Sequence, residues 1–140
     1  MDSTDVKLIA LLRENARAPV AKMALQLGVS RATVQNRIDK LIEQRVLLGF
    51  TVRTTPEAAK HRVRAIMMVS VEGDHADAAL KTLRGYPEVR ALHTTNGRWD
   101  FVAELGTESL EDFDRVLQRI RAVKGISNSE TSLLLATHKL

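Results

Sequence analysis

The residue types best suited to recognition chemistry cluster in Ala24–Leu41, ALQLGVSRATVQNRIDKL. The hydroxyls of Ser30 and Thr33 can reach phosphate oxygens. Arg31 can pair bidentately with guanine and Gln35 with adenine on the edges exposed in a DNA major groove. Asn36 adds a further uncharged polar group, while Arg37 and Lys40 suit phosphate contacts. A second set lies in Asn96–Asp100, NGRWD. There Gly97 permits an unusual backbone angle and leaves amides accessible. Trp99 can wall a pocket, and Asp100 can accept a charge-assisted hydrogen bond from a ligand ammonium. The same five residues also fit a tight turn, with Trp99 in the core and Asp100 bonded to nearby backbone amides. No catalytic set accompanies them. His61, His75, His93 and His138 are scattered and lack the i, i+4 spacing of a helical metal pair. No serine occupies a nucleophile elbow and no glycine loop is built for phosphate. Glu111, Asp112 and Asp114 cluster at a helix start, where the helix dipole accounts for them.

The elements that hold the first set are helices. The first begins after Thr4, with Asp5 in its first turn and Leu8, Ile9 and Leu12 as its apolar stripe. Asn15–Pro19 interrupts it. Val20, Met23, Ala24 and Leu27 then follow i, i+3, i+4, i+7, and Gly28 stops that helix. Ser30 stands at the next N-cap. Val34, Ile38, Leu41 and Ile42 point inward from the third helix, and Val46–Val52 reads as a strand or short wing. Two helices around a glycine turn, the second with a polar outer face, are the pattern of a helix-turn-helix. An ordinary helical hairpin with a solvated face would show the same periodicity, so charge has to arbitrate.

Charge favours a polyanion partner for the N-terminal part. Met1–Arg62 holds 11 Lys+Arg against 6 Asp+Glu, a balance of +5, whereas Val63–Leu140 holds 10 against 11, a balance of −1. The weakly periodic stretch 51–62 is read as the connector. After it the pattern is strand, helix, strand, strand, helix, strand. The strands fall at Ala65–Val71, Val89–Thr94, Phe101–Leu105 and Thr131–Thr137. One helix carries Ala76, Ala79, Leu80 and Leu83. The other carries Leu110, Phe113, Leu117 and Ile120, is capped by Ser109 with Asp112, and is ended by Gly125. This βαββαβ order is that of a ferredoxin-like sandwich. Its helix-free face would keep Ile66 and Met68, so a second subunit is expected to cover it. The chain is therefore read as α+β: a winged helix-turn-helix at 1–50, a linker at 51–62 and a ferredoxin-like domain at 63–140 that associates through its open sheet face.

The chain has no cysteine, which removes disulfides, thiolate zinc sites and cysteine nucleophiles. No apolar run approaches a membrane span and no secretory pattern opens the sequence, so a cytoplasmic, nucleoid-associated protein without a membrane partner is expected.

In order, TDVKLIALLRENAR, LGVSRATVQNRIDKLIEQRVLLGFT, NGRWD and GISNSETSLLL make the chain resemble the Lrp/AsnC, or feast/famine, family of transcriptional regulators. The resemblance spans nearly the whole chain. It implies a helix-turn-helix in the major groove of double-stranded DNA and a hinge strand leading to a ferredoxin-like domain that dimerises through its sheet. It also implies assembly of dimers into tetramers or octamers, and a free amino acid bound between C-terminal domains. That would make 51–62 a hinge and 63–140 an oligomerisation and effector domain. By position, Gly97, Trp99 and Asp100 fall in the ligand loop, with Thr131 as a ligand-side threonine and Ser129 near it. The family's loop reads glycine, acid, aromatic, aspartate, and Arg98 stands at the acid, a change of two charge units. Arg98 could receive a ligand carboxylate or pair with a neighbouring subunit. The implied function is a sequence-specific regulator responding to an amino acid, with no metal or other cofactor. The alternatives are an effector-independent architectural DNA-binding protein and an amino-acid enzyme, the latter without a nucleophile–base pair to support it.

Overall fold

Asp2 opens the first helix. The computed structural model describes residues 1–55, 58 and 61–139, and places α1 at Ser3–Glu14, α2 at Val20–Leu27 and α3 at Arg31–Glu43. The start of α1 precedes the expected one because Asp2 and Asp5 form a reciprocal capping box: Thr4 and Asp5 amides donate to Asp2 Oδ1, and the Asp2 amide donates to Asp5 Oδ2. Gly28 ends α2 at φ +66°, with the Val29 amide closing on the Ala24 carbonyl at 3.1 Å. That left-handed residue turns the chain into α3, where Ser30 accepts from the Thr33 amide at 3.1 Å. Leu8, Leu12, Met23, Ala24, Val34, Ile38 and Leu41 form the core of this unit.

Two expectations change here. Ile42 is 45% exposed and lies outside the core, since Leu41 already fills the inward position at that turn. Val46–Val52 forms neither strand nor wing. A strand requires a neighbour for its ladder, and the described residues of this chain offer none. The period-two side chains Val46, Leu48, Phe50 and Val52 are instead 44%, 88%, 56% and 80% exposed. Within the expected connector, Pro56, Glu57, Ala59 and Lys60 lie outside the described residues.

Backbone contacts divide the chain into units at Met1–Arg53 and Thr54–Leu140. The second runs β1 (Val63–Val71), α4 (Ala76–Arg84), β2 (Val89–Thr94), β3 (Phe101–Thr107), α5 (Leu110–Arg121) and β4 (Ile126–Leu133). The four strands form an antiparallel sheet in the order β2-β3-β1-β4, the ferredoxin-like arrangement. Ala65, Met67 and Val69 of β1 and Phe101, Ala103 and Leu105 of β3 meet Ala79 and Leu83 of α4 and Phe113, Val116 and Ile120 of α5. Alternation sends Ile66, Met68, Ala91 and Val102 to the opposite face, together with Glu104 and Glu130.

Three boundaries differ from expectation. Leu110 is 63% exposed at the first position of α5, and Val116 takes its place in the buried stripe. The helix is capped by Ala122, while Gly125, at φ +93°, turns the chain into the last strand. That strand begins at Ile126 and ends at Leu133 rather than spanning 131–137. Its polar sequence, ISNSETSL, pairs as an edge through backbone hydrogen bonds to β1, so the apolar run Leu133–Leu135 misplaces it.

Candidate functional site

The outer face of α3 carries Arg31, Gln35, Asn36 and Lys40, all exposed, with Thr33 half-buried. At its start Ser30 Oγ and Thr33 Oγ1 share a hydrogen bond of 2.8 Å. Both hydroxyls thus sit beside the free amides of a helix N-terminus, where an anion is favoured. Arg31 and Lys40 form no ion pair among the described residues, so their donors remain available. Gln35 Nε2 donates to Asp39 Oδ1 at 2.9 Å.

Arg37, expected at a phosphate, is also engaged within the chain. Its Nη1 donates to Asp2 Oδ2 at 2.7 Å and to Asp5 Oδ1 at 2.8 Å, clamping the α1 N-terminus to α3. Both carboxylates are met by Nη1, while Nη2 and Nε form no hydrogen bond among the described residues. Asp2, Asp5 and Arg37, with Thr33, Asn36 and Lys40, line a cleft of about 490 Å³. The Arg37 hydrogen bond holds the Asp2 carboxyl below its usual range, and the Asp2 amide followed by Arg37 does the same for Asp5. Arg37 is raised in turn, chiefly by its hydrogen bond to Asp2.

The linkage has a definite sign. Two carboxyls with depressed folded values stabilise this unit fully above the ordinary carboxylate value of 3.8, and that contribution is lost as pH falls through the depressed values. An Arg37→Gln chain should therefore show a flatter acid limb than the parent. Amide hydrogen exchange of the first turn of α1, followed from pH 6 to about pH 2.5, reads this. Parallel acid limbs in the two proteins would remove the clamp from the account.

The second candidate set lies at the C-terminal end of β1. The Asp100 amide donates to the Val69 carbonyl at 2.8 Å, and Asp100 Oδ2 accepts from the Val71 amide at 2.8 Å. Asp100 therefore ties the loop to β1, as the turn reading anticipates. Its Oδ1 takes no hydrogen bond among the described residues. The Thr95 hydroxyl donates to the Trp99 carbonyl and closes the loop. Trp99 is half-buried rather than in the core, and the Arg98 guanidinium lies over its ring at 5.3 Å from the centroid. Gly97 does not adopt a positive φ, contrary to expectation, and a Cβ there would meet nothing within 4 Å. Nothing among the described residues thus demands glycine at 97.

Sheet register places the remaining pair. Val69 pairs with Phe101 on one side and with Ser129 on the other, so Phe101, which follows Asp100, and Ser129 flank β1 near its end about 10 Å apart, two strand spacings. Thr131 pairs with the fully buried Met67, which puts it on the helix-covered side, and its Oγ1 is buried with no hydrogen-bond partner. Such an orphaned hydroxyl is uncommon in a folded protein.

Three features escaped the sequence reading. Asp2 was findable from the Asp-x-x-Asp spacing of a capping box. Asp39 was findable from its i+4 relation to Gln35. The stacking of Arg98 on Trp99 has no sequence signal beyond adjacency. Among the described residues no group of three or more His, Asp or Glu could hold a metal ion.

Comparison with known proteins matches residues 1–42 to an AsnC-type helix-turn-helix domain and residues 64–140 to an Lrp/AsnC ligand binding domain. The HTH-type transcriptional regulator FL11 of Pyrococcus horikoshii is 30% identical over 139 residues, covering 99% of this chain and 92% of its own length. The structure of Escherichia coli AsnC superposes with a TM-score of 0.85 at 23% identity, over 100% of this chain and 95% of that one. A transcriptional regulator of Neisseria meningitidis, solved as a complex with L-Met, superposes with a TM-score of 0.83 at 21% identity, over 100% and 93% of the two chains.

Proposed function

Since the chain belongs to the Lrp/AsnC family and is a DNA-binding transcriptional regulator rather than an enzyme, we propose that α3 enters the major groove and that the C-terminal unit tunes this binding to a free amino acid. Arg31, Gln35 and Asn36 read base edges. Ser30, Thr33 and Lys40 contact phosphates, and Arg37 holds α3 in place against α1. Residues 1–50 then serve as the DNA-binding domain, 51–62 as hinge and 63–140 as the assembly and effector domain, acting on cytoplasmic DNA at the nucleoid. The apolar face bearing Ile66, Met68, Ala91 and Val102 is covered by a second copy, and dimers stack further into tetramers or octamers.

The observation that carries the effector reading is the spare Oδ1 of Asp100 at the same end of β1 as Ser129. An α-ammonium is a suitable donor to it. The ligand-bound Neisseria regulator, of similar fold, supports an amino acid as the class. Arg98, cationic and stacked on Trp99, suits the α-carboxylate.

The test is fluorescence anisotropy on duplex DNA from upstream of the chain's own gene against a shuffled duplex, at two salt concentrations and with individual amino acids. Tighter binding to the upstream duplex that survives higher salt, and shifts with one amino acid, is the expected result. Asp100→Asn keeps the acceptor for the Val71 amide but loses the charge. It should weaken the amino-acid response about 10- to 100-fold with DNA affinity in its absence unchanged. Equal, salt-labile binding to both duplexes with no amino-acid response would favour an architectural protein, in which phosphate contacts dominate.

A further inference from the structure

Arg31, Gln35 and Asp39 stand at i, i+4 and i+8 and so line one exposed strip of α3. Within it, Asp39 Oδ1 lies 2.9 Å from Gln35 Nε2. An ionised carboxylate has no hydrogen to give, so the atom facing it must be the amide nitrogen; the opposite amide orientation would bring two acceptors together. Asp39 therefore fixes which way round Gln35 sits. The amide carbonyl Oε1 is left as the outward acceptor, and one of the two Nε2 hydrogens is already engaged. Asp39 Oδ2, which takes no hydrogen bond among the described residues, adds a second acceptor beside it.

Major-groove chemistry converts that orientation into a preference. The hydrogen-bond donors a base offers there are N6 of adenine and N4 of cytosine, whereas guanine presents O6 and N7 and thymine presents O4, all acceptors. We infer that Asp39 is a specificity-determining positioning residue: by holding the Gln35 amide with Oε1 outward and engaging one of its two Nε2 hydrogens, it favours adenine or cytosine over guanine or thymine at the base Gln35 faces. This rests on the proposed placement of α3 in the groove. The same carboxylate repels phosphates, so it lowers sequence-independent affinity while sharpening choice. A residue that acted by charge alone would do only the first.

The experiment is binding-site selection from a random duplex pool with the full chain, followed by anisotropy on the selected duplex and its single-base variants. The wild type should favour adenine or cytosine over guanine or thymine at one position by about tenfold. Asp39→Asn has the same shape but no charge, and its amide can face Gln35 either way round. It should bind every duplex more tightly while that preference falls below about threefold, with the other positions unchanged. Gln35→Ala should lose the same preference, and adding Asp39→Asn to it should cost no further preference. If circular dichroism shows that Asp39→Asn folds poorly, Asp39→Ala carries the same test, since it removes the acceptor that orients Gln35 while favouring the helix at an exposed position. Tighter binding by Asp39→Asn with the preference intact, while Arg31→Ala alters another position, would overturn this inference and leave the groove placement standing. No preference at any position in the wild type, or Arg31→Ala with every position's preference unchanged, would overturn the groove placement and this inference with it.

Discussion

Gly125→Ala will destabilise the C-terminal unit by about 3 kcal/mol. Two separate costs converge on that residue. Its φ of +93° is one that side chains rarely adopt, and leaving the right-handed region costs about 1–2 kcal/mol. An alanine Cβ would in addition overlap the Cβ of His75 and come within 2.9 Å of its Cγ, and overpacking of this kind adds about 1–3 kcal/mol. Gly28 supplies the internal comparison. It has a similar need for positive φ, at +66°, but a Cβ there meets nothing within 4 Å, so Gly28→Ala should cost only about 1 kcal/mol. Trp99, the single tryptophan, sits in the C-terminal unit and reports its unfolding in urea by fluorescence. A midpoint for Gly125→Ala within error of the parent would mean that His75 moves aside freely and that the left-handed turn into β4 is not required.

Arg31→Ala will relax base preference at one position, removing about 1–3 kcal/mol of discrimination, whereas Lys40→Ala will weaken binding to all sequences alike. The two cations share the exposed side of α3 and lack ion pairs among the described residues, but they stand at its opposite ends, at the first position and in the last turn. A bidentate contact to guanine is lost on one sequence only. A phosphate contact is lost on every sequence, and the logarithmic salt slope shrinks by about one. Anisotropy titrations across five salt concentrations on selected and scrambled duplexes separate these signatures. Arg37→Ala provides the contrast: with its guanidinium held by Asp2 and Asp5, its principal deficit should be a loosened α1 rather than a lost phosphate contact. Identical specificity and salt slopes for Arg31→Ala and the parent would move the DNA-reading surface off α3.

Much of this is legible in the sequence, for identifiable reasons. Stripes at helical spacing and an N-cap serine are local signals, so α2, α3 and the Gly28 turn follow from sequence. The pairing of β1 with both β3 and β4 is consistent with its continuous apolar run, because central strands are buried on both sides. The failures come from information that is not local. β4 is a polar edge whose existence depends on a ladder to a distant strand, and an apolar run beyond it drew the boundary too late. Arg37 reads as a surface cation until Asp2 and Asp5, more than thirty positions away, are brought beside it. The loop at 96–100 was ambiguous between turn and ligand site because Asp100 serves the first with one oxygen and leaves the other for the second.

The bare segment Val46–Val52 has a consequence for how the protein behaves in solution. VLLGFTV contains no charge and no proline, and every residue but the half-buried Leu47 is exposed. Those are the properties of segments that recruit strand partners indiscriminately when left unpaired. Under the proposed self-association, pairing within the native assembly is what keeps this edge from seeking others. Dilution below the assembly's dissociation constant would then leave a larger fraction of the chains with this segment bare and open to strand pairing with other proteins.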